Sequence, residues 1–360
     1  IGRLGKSGIY NAIKNLSKNK YWRILALLGI SSSLITLSYY SVVAGWPVKY
    51  VVMSITGEMA KITPDNTGEI FVSFVKSPFE IILYHTVIMG ITTFAVWKKV
   101  EGIEKAAKFL MPLLVMFIMI IVINSGVNYG VADTAKFLFS FDLSKLTTAS
   151  ILEACGHAFF TLSVGFGALA IYSSYLPVSV NLLKSGIIIA IADTLIALFA
   201  CFMIYPIILK SNMDVSDSIS VLFTSITVQL NSLPFGSFIT GIFYLLIAFA
   251  ALTSTISLLE VVVSFVNETM KIERHISTFL SAFVIWILGI FCALSLGANE
   301  FLTELEIFNN LDYYISNIAL PLAGLIMSIY CGYAIDKQLK SSLCEYSKRA
   351  AFLIGFSLKF

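Results

Sequence analysis

Six stretches of this 360-residue chain, at 24–48, 79–97, 184–209, 237–264, 277–297 and 312–335, are apolar over about the length that crosses a bilayer. Hydrocarbon offers no water to an unpaired N–H or C=O, so a spanning segment must pair its own backbone as a helix or close into a barrel. Stretches this long specify helices. Two further stretches, 109–124 and 151–176, are less regular, and 347–360 reads as a span cut short. With 58 % hydrophobic and only 12 % charged residues, the chain is an all-α polytopic membrane protein of about eight complete spans and a partial last one.

The irregular stretch at 151–176 is interrupted by FFTLSVGFG, residues 159–167, which sets Thr161, Ser163, Gly165 and Gly167 where a membrane helix would carry leucines. Two glycines so close invite unwinding. Non-helical backbone at membrane depth is tolerated only where protein buries it or it lines a cavity, and its freed carbonyls can then face a ligand. The pattern predicts a discontinuous helix beside a polar hole.

Basic residues set the orientation. If the first residues are cytoplasmic, the outer segments hold only Lys49, Lys61, Lys76, Lys136, Lys145 and Lys210, while most other Lys and Arg fall inside. The net charge of +3 then reflects topology, with no nucleic-acid patch. The five cysteines and three histidines show no metal spacing, and no nucleophile and base converge as in an enzyme. Residues 53–77 read as an exposed external loop, 97–112 as a short inner helix ending near Pro112, and 126–144 and 213–234 as amphipathic external segments, each a lid or a plain surface loop.

Several polar residues inside the spans are chemically suggestive. Ala250, Thr253, Ser254 and Ser257 share one helix face; their hydroxyls and carbonyls suit a small hard cation, or the hydroxyls bond back to their own helix. Asp193 costs about 2.5–3.5 kcal/mol to insert, which marks an ion or proton path unless it sits protonated against a neighbouring helix. Glu260 is a structural partner or part of an inner pathway. Thr36 and Tyr40 lie one turn apart, where a buried phenol needs a partner such as a carboxylate, or is simply structural. Asp312 stands at the outer end of its span. Five crossings follow from the break to residue 335 and three precede it; transporters built from paired five-helix inverted repeats would place two more before Ile1.

In order along the chain, YYSVVAGW at 39–46, KAAKFLMPLL at 105–114, FFTLSVGFGALAIYSSY at 159–175, ADTLIAL at 192–198, ALTSTISLLE at 251–260 and LDYY at 311–314 resemble the neurotransmitter:sodium symporter family, in its bacterial leucine-transporter-like branch. The resemblance implies a leucine-transporter-type inverted-repeat fold. Residues 1–150 would be the remainder of the first repeat (family helices 3 to 5), 151–335 the second repeat (family helices 6 to 10), and 336–360 an inner loop and truncated helix 11. It also implies a fragment lacking the first two family helices and the C-terminal end, those N-terminal helices being expected from the full-length chain.

By the same resemblance Tyr40 binds the substrate carboxylate, Thr36 faces the substrate side chain, and Phe160 closes over it. Ser163 and Phe166 form the wall at the unwound segment, and Ser254 and Leu258 the opposite wall. Thr161, which also borders the substrate, and Asp193 fall at the first sodium site; Ala250, Thr253 and Ser254 fall at the second, each site incomplete without the first family helix. Asp312 matches the outer acidic gate, Glu268 the inner acid and Tyr175 the tyrosine beside it. Asp193 replaces an asparagine and Ala197 a glutamate of the prototype, so a fixed carboxylate could stand in for chloride and carry a proton on the return step.

The implied function is sodium-coupled symport of a neutral, apolar or aromatic amino acid by alternating access in the plasma (inner) membrane of a bacterium. The implied partners are the amino acid, Na+ and the lipid bilayer. Alternatives are a non-transporting remnant or split subunit, or a proton-coupled relative.

Overall fold

The computed structural model describes residues 1–98, 101–140, 144, 146–177, 179–211 and 218–335, and among them regular structure is entirely helical. The short α1 (Gly2–Gly5) and α2 (Ile9–Leu16) lead into the 34-residue α3 (Arg23–Thr56). Next come α4 (Thr67–Lys76), α5 (Pro78–Lys98), α6 (Glu101–Tyr129) and α7 (Ala132–Phe139). The broken pair α8 (Thr148–Thr161) and α9 (Ala168–Tyr175) precedes α10 (Leu182–Ser211), α11 (Ser218–Phe223) and α12 (Ser225–Asn231). The 35-residue α13 (Gly236–Met270), α14 (Arg274–Leu294), α15 (Glu300–Glu304), α16 (Ile307–Tyr314) and α17 (Leu320–Ile329) complete the series, with π-helical turns at Ile315–Ala319 and Tyr330–Ala334.

Among the described residues six helical stretches are long and apolar enough to cross a membrane, and a seventh if Met111–Val127 and Ala132–Phe139 are taken as one bent span. The break keeps α8 and α9 each too short to qualify alone. All six apolar stretches named from the sequence form helices, with ends up to eight residues outward, as at Thr56, or three inward, as at Leu294.

Four segments differ from the reading of sequence. Residues 53–77 contain α4, whose Phe71 and Phe74 are buried, because a turn of apolar residues between polar ones still packs a face. Pro112 does not end a short inner helix: α6 runs through it from Glu101 to Tyr129. The two amphipathic segments carry α7, and α11 with α12, rather than bare loop. The inner loop and truncated span at 336–360, with Cys344, lie outside the described residues.

The two long helices α3 and α13 form the central pair, flanked by α5 and α14. Leu37, Val42, Leu258, Leu259, Ile285 and Cys292 interlock there in one apolar core. A second, aromatic core at one end of the bundle gathers Trp46, Tyr50, Phe223 and Tyr244. The third, at the other end, joins Ile9 and Ile13 of α2 to Leu25, Val261 and Tyr330. Buried hydroxyls tie helices where no water could: Thr92 and Thr255 lie 2.7 Å apart across α5 and α13, and the Tyr50 hydroxyl donates to the Phe223 carbonyl at 2.8 Å. At Gly45 a methyl group would come within 2.9 Å of the Tyr84 backbone, so glycine sets how closely α3 and α5 approach.

Candidate functional site

The predicted break is real. After α8 the chain takes left-handed backbone at Ser163 (φ 54°), Gly165 (φ 96°) and Gly167 (φ 89°) before α9 resumes. Glycine adopts that region without strain, whereas Ser163 does so at a cost of the order of 1–2 kcal/mol that its surroundings must offset. Those surroundings are α3. The Ser33 hydroxyl donates to the Phe166 carbonyl at 2.9 Å, and Gly29 lies so close that a methyl there would fall 2.6 Å from the Gly165 oxygen. Val164 N–H still reaches back to the Phe159 carbonyl at 2.8 Å, closing the end of α8. Among the described residues no backbone N–H donates to the carbonyls of Leu162, Ser163 or Val164, which leaves acceptors at the break.

Beside the break is a cavity of about 390 Å³, within the range of small-molecule sites. It is lined by Thr36 and Tyr40 from α3, by Phe160, Thr161, Ser163, Phe166 and Ala168 around the break, by Asp193 from α10, and by Thr253, Ser254, Ser257 and Leu258 from α13. All eight residues expected around a substrate, drawn from three distant parts of the chain, therefore border one space. Phe160 meets Phe166 edge to face, ring centroids 5.8 Å apart, forming an aromatic wall. The Tyr40 hydroxyl faces Ser254 across the cavity.

Two oxygen clusters flank this space. Thr161 donates its hydroxyl proton to the Asp193 carboxylate at 3.0 Å, joining the break to α10. The Thr253 hydroxyl donates to the Ala250 carbonyl at 2.7 Å, and Ser257 donates to the Thr253 carbonyl at 2.8 Å. Of the two readings of that helix face, the back-bonded one holds for Thr253 and Ser257, and the Ser257 oxygen also meets the Tyr172 hydroxyl. Ala250 itself does not border the cavity. Hydroxyl and carboxylate oxygens of this kind are ligands for a small hard cation.

The expected gate residues lie away from the cavity. Asp312 accepts a long bond of 3.4 Å from Ser316, just ahead of the first π-helical turn. The Tyr39 hydroxyl is buried beside Asp312 without a hydrogen bond of good geometry. Glu268 accepts from the Gly8 N–H at 3.0 Å and from the Asn11 side chain at 2.9 Å, so it caps the start of α2. Tyr175 is 71 % exposed, near Glu260, Glu268 and Arg274. Glu260 proves to be a structural partner: Arg274 grips both its oxygens, at 2.6 and 3.1 Å, and also donates to the Val96 carbonyl at 3.1 Å.

Reading the sequence missed Ser33, Gly29, Asn11 and Arg274. The only signal available for the first two was the small-residue spacing of GISSS at 29–33, which permits close helix approach without saying what approaches.

An interrupted helix inside a bundle of apolar helices, with hydroxyls, aromatic rings and one carboxylate turned into the gap, defines a secondary transporter. The chain belongs to the sodium:neurotransmitter symporter family, whose model matches residues 65–344. It is 32 % identical over 345 residues to an uncharacterised sodium-dependent transporter of Haemophilus influenzae, covering 93 % of this chain and 75 % of that protein. It is 29 % identical over 341 residues to the uncharacterised sodium-dependent transporter YhdH of Bacillus subtilis, covering 94 % of this chain and 76 % of the relative. The fold matches the crystal structure of MhsT in complex with L-phenylalanine with a TM-score of 0.93 at 30 % identity, over 100 % of this chain and 83 % of MhsT. The architecture is therefore the leucine-transporter-type inverted-repeat fold, and the chain is a polytopic, sodium-dependent transporter of the membrane.

Proposed function

We propose that the cavity beside the break is the central site for sodium-coupled symport of a neutral amino acid, with an aromatic side chain favoured. The observation that carries this reading is the convergence of Tyr40, Phe160, Ser163, Phe166, Ser254 and Leu258 on one space of about 390 Å³. Tyr40 donates its hydroxyl to the substrate carboxylate, Phe160 and Phe166 stack on the side chain, and Thr36 and Leu258 bound its far end. Among the described residues, the sole charged side chain bordering the cavity is Asp193, which Thr161 already engages, so a charged substrate side chain finds no free partner there. The phenylalanine bound by MhsT supports the aromatic preference.

Two sodium sites complete the reading. Thr161 and Asp193 hold one; Ala250, Thr253 and Ser254 contribute the second, the Ala250 carbonyl turning to the ion as its bond to Thr253 loosens. The fixed charge of Asp193 makes chloride unnecessary, and a proton takes the place of sodium there on the return step. Asp312 closes the outer side, Glu268 and Tyr175 the inner side. The remainder of the first inverted repeat, 1–150, and the second repeat, 151–335, contribute eight spans in all, with the amino end cytoplasmic.

Binding of tritiated L-phenylalanine to the purified full-length protein tests the site. It should saturate in sodium, vanish in potassium, and weaken about 30-fold in Tyr40→Phe, the loss of about 2 kcal/mol expected for a hydrogen bond to a charged group. Equal binding in sodium and potassium would contradict the proposal.

A further inference from the structure

A second cavity, unrelated to the central one, runs between α5 and α14. Its volume is about 440 Å³, and it is walled by Gly90, Phe94 and Trp97 on one side and by Phe279, Phe283 and Trp286 on the other. The Trp286 indole and the two threonine hydroxyls of the wall are already paired. Trp286 donates its indole N–H to the Thr86 hydroxyl at 2.9 Å, Thr86 donates to the Ile82 carbonyl at 2.7 Å, and Thr93 donates to the Met89 carbonyl at 2.6 Å. A wall of aromatic rings with these groups satisfied suits hydrocarbon. At Gly90 the wall opens fully, since nothing lies within 4 Å of where a side chain would begin.

Length and charge narrow the occupant. From Thr86 to Trp97 the groove follows about eleven helical steps, about 16 Å of rise, close to the half-thickness of a bilayer core of about 30 Å. At the Trp97 end stands Lys98, an exposed residue at the end of its helix. Its ammonium lies 5.4 Å from the Phe94 ring centre and 5.5 Å from that of Trp97, so the cation rests on the two rings that line the mouth. Basic side chains at the edge of a membrane attract anionic headgroups, by about five-fold for one Lys.

We propose that this groove is a binding site for one anionic glycerophospholipid, with an acyl chain lying along Gly90 and Trp286 and its phosphate held by Lys98. The site does not depend on the transport reading. It uses one leaflet only, the one in which Lys98 stands, and fixes α5 against α14 where aromatic rings face outward.

Tryptophan quenching by lipids with brominated acyl chains tests this on the full-length protein in vesicles of phosphatidylglycerol or phosphatidylcholine. The groove's own emission is taken as the difference from the Trp97→Phe/Trp286→Phe double variant. Brominated phosphatidylglycerol should compete for the groove about five-fold better than brominated phosphatidylcholine. Lys98→Gln should bring that ratio close to one, and Gly90→Leu, which adds bulk only to open space and favours the helix, should reduce quenching by both lipids. Equal quenching by the two lipids in the wild-type protein, or a preference that survives Lys98→Gln, would overturn the proposal.

Discussion

Asp193 is the residue on which the ion chemistry turns. Its carboxylate sits half-buried on α10 and takes the Thr161 proton at 3.0 Å, tying the broken helix to a neighbour that is otherwise turned outward along most of its surface. Removing its charge leaves the hydroxyl and carbonyl oxygens but no fixed anion to balance a cation. Asp193→Asn should lower sodium affinity by on the order of tenfold, about 1.4 kcal/mol. Uptake by the variant should also come to depend on chloride, read as flux in gluconate against chloride buffers. Uptake that remains chloride-independent and equally sensitive to sodium would remove Asp193 from the ion site. Much at this scale was legible in the sequence, because each residue carried its own chemical oddity: a carboxylate inside a span, glycines beside Ser163, hydroxyls repeating on one face at 250–257. Ser33 carries no such oddity. Its function is to meet a carbonyl 133 positions away, and only the crossing of α3 with the break reveals it.

At the scale of elements, the break between α8 and α9 is not a loose loop but a shape held from outside. One hydrogen bond from Ser33 and the absence of a side chain at Gly29 let α3 cradle the carbonyls of Gly165 and Phe166. Ser33→Ala leaves the Phe166 carbonyl buried and unpaired, a cost of about 1–3 kcal/mol. Hydrogen exchange across residues 162–167 should quicken accordingly, with little change in α5 or α14, and phenylalanine binding should weaken with it. Exchange that speeds up evenly through the bundle would mean that Ser33 supports the fold at large and not the break. The element boundaries show where a pattern of sequence stops being informative. Pro112 reads as an end to a helix, yet α6 passes through it, since tertiary packing outweighs the single missing N–H. The Glu260 and Arg274 pair spans the turn between α13 and α14, a connection that hydropathy cannot register.

For the whole molecule, α3 and α13 form a fixed central pair, and the cavity opens between that pair and the interrupted helix. One polar space lies beside the break, with Glu268 anchoring α2 and Asp312 standing just ahead of the π-helical turn. Membrane class, most spans and the inverted-repeat fold could be inferred from apolar lengths and motif resemblance. The expected count of about eight exceeds the six or seven that length and hydropathy identify among the described residues, because a broken helix is two short helices to any criterion of length. The central claim is that sodium drives an amino acid through this space. Uptake of tritiated L-phenylalanine by proteoliposomes holding the full-length protein tests it directly. An inward sodium gradient should concentrate the amino acid above its outside level, and replacing sodium with potassium should abolish that accumulation. Accumulation that persists without sodium, or an absence of uptake of every neutral amino acid with sodium present, would contradict it.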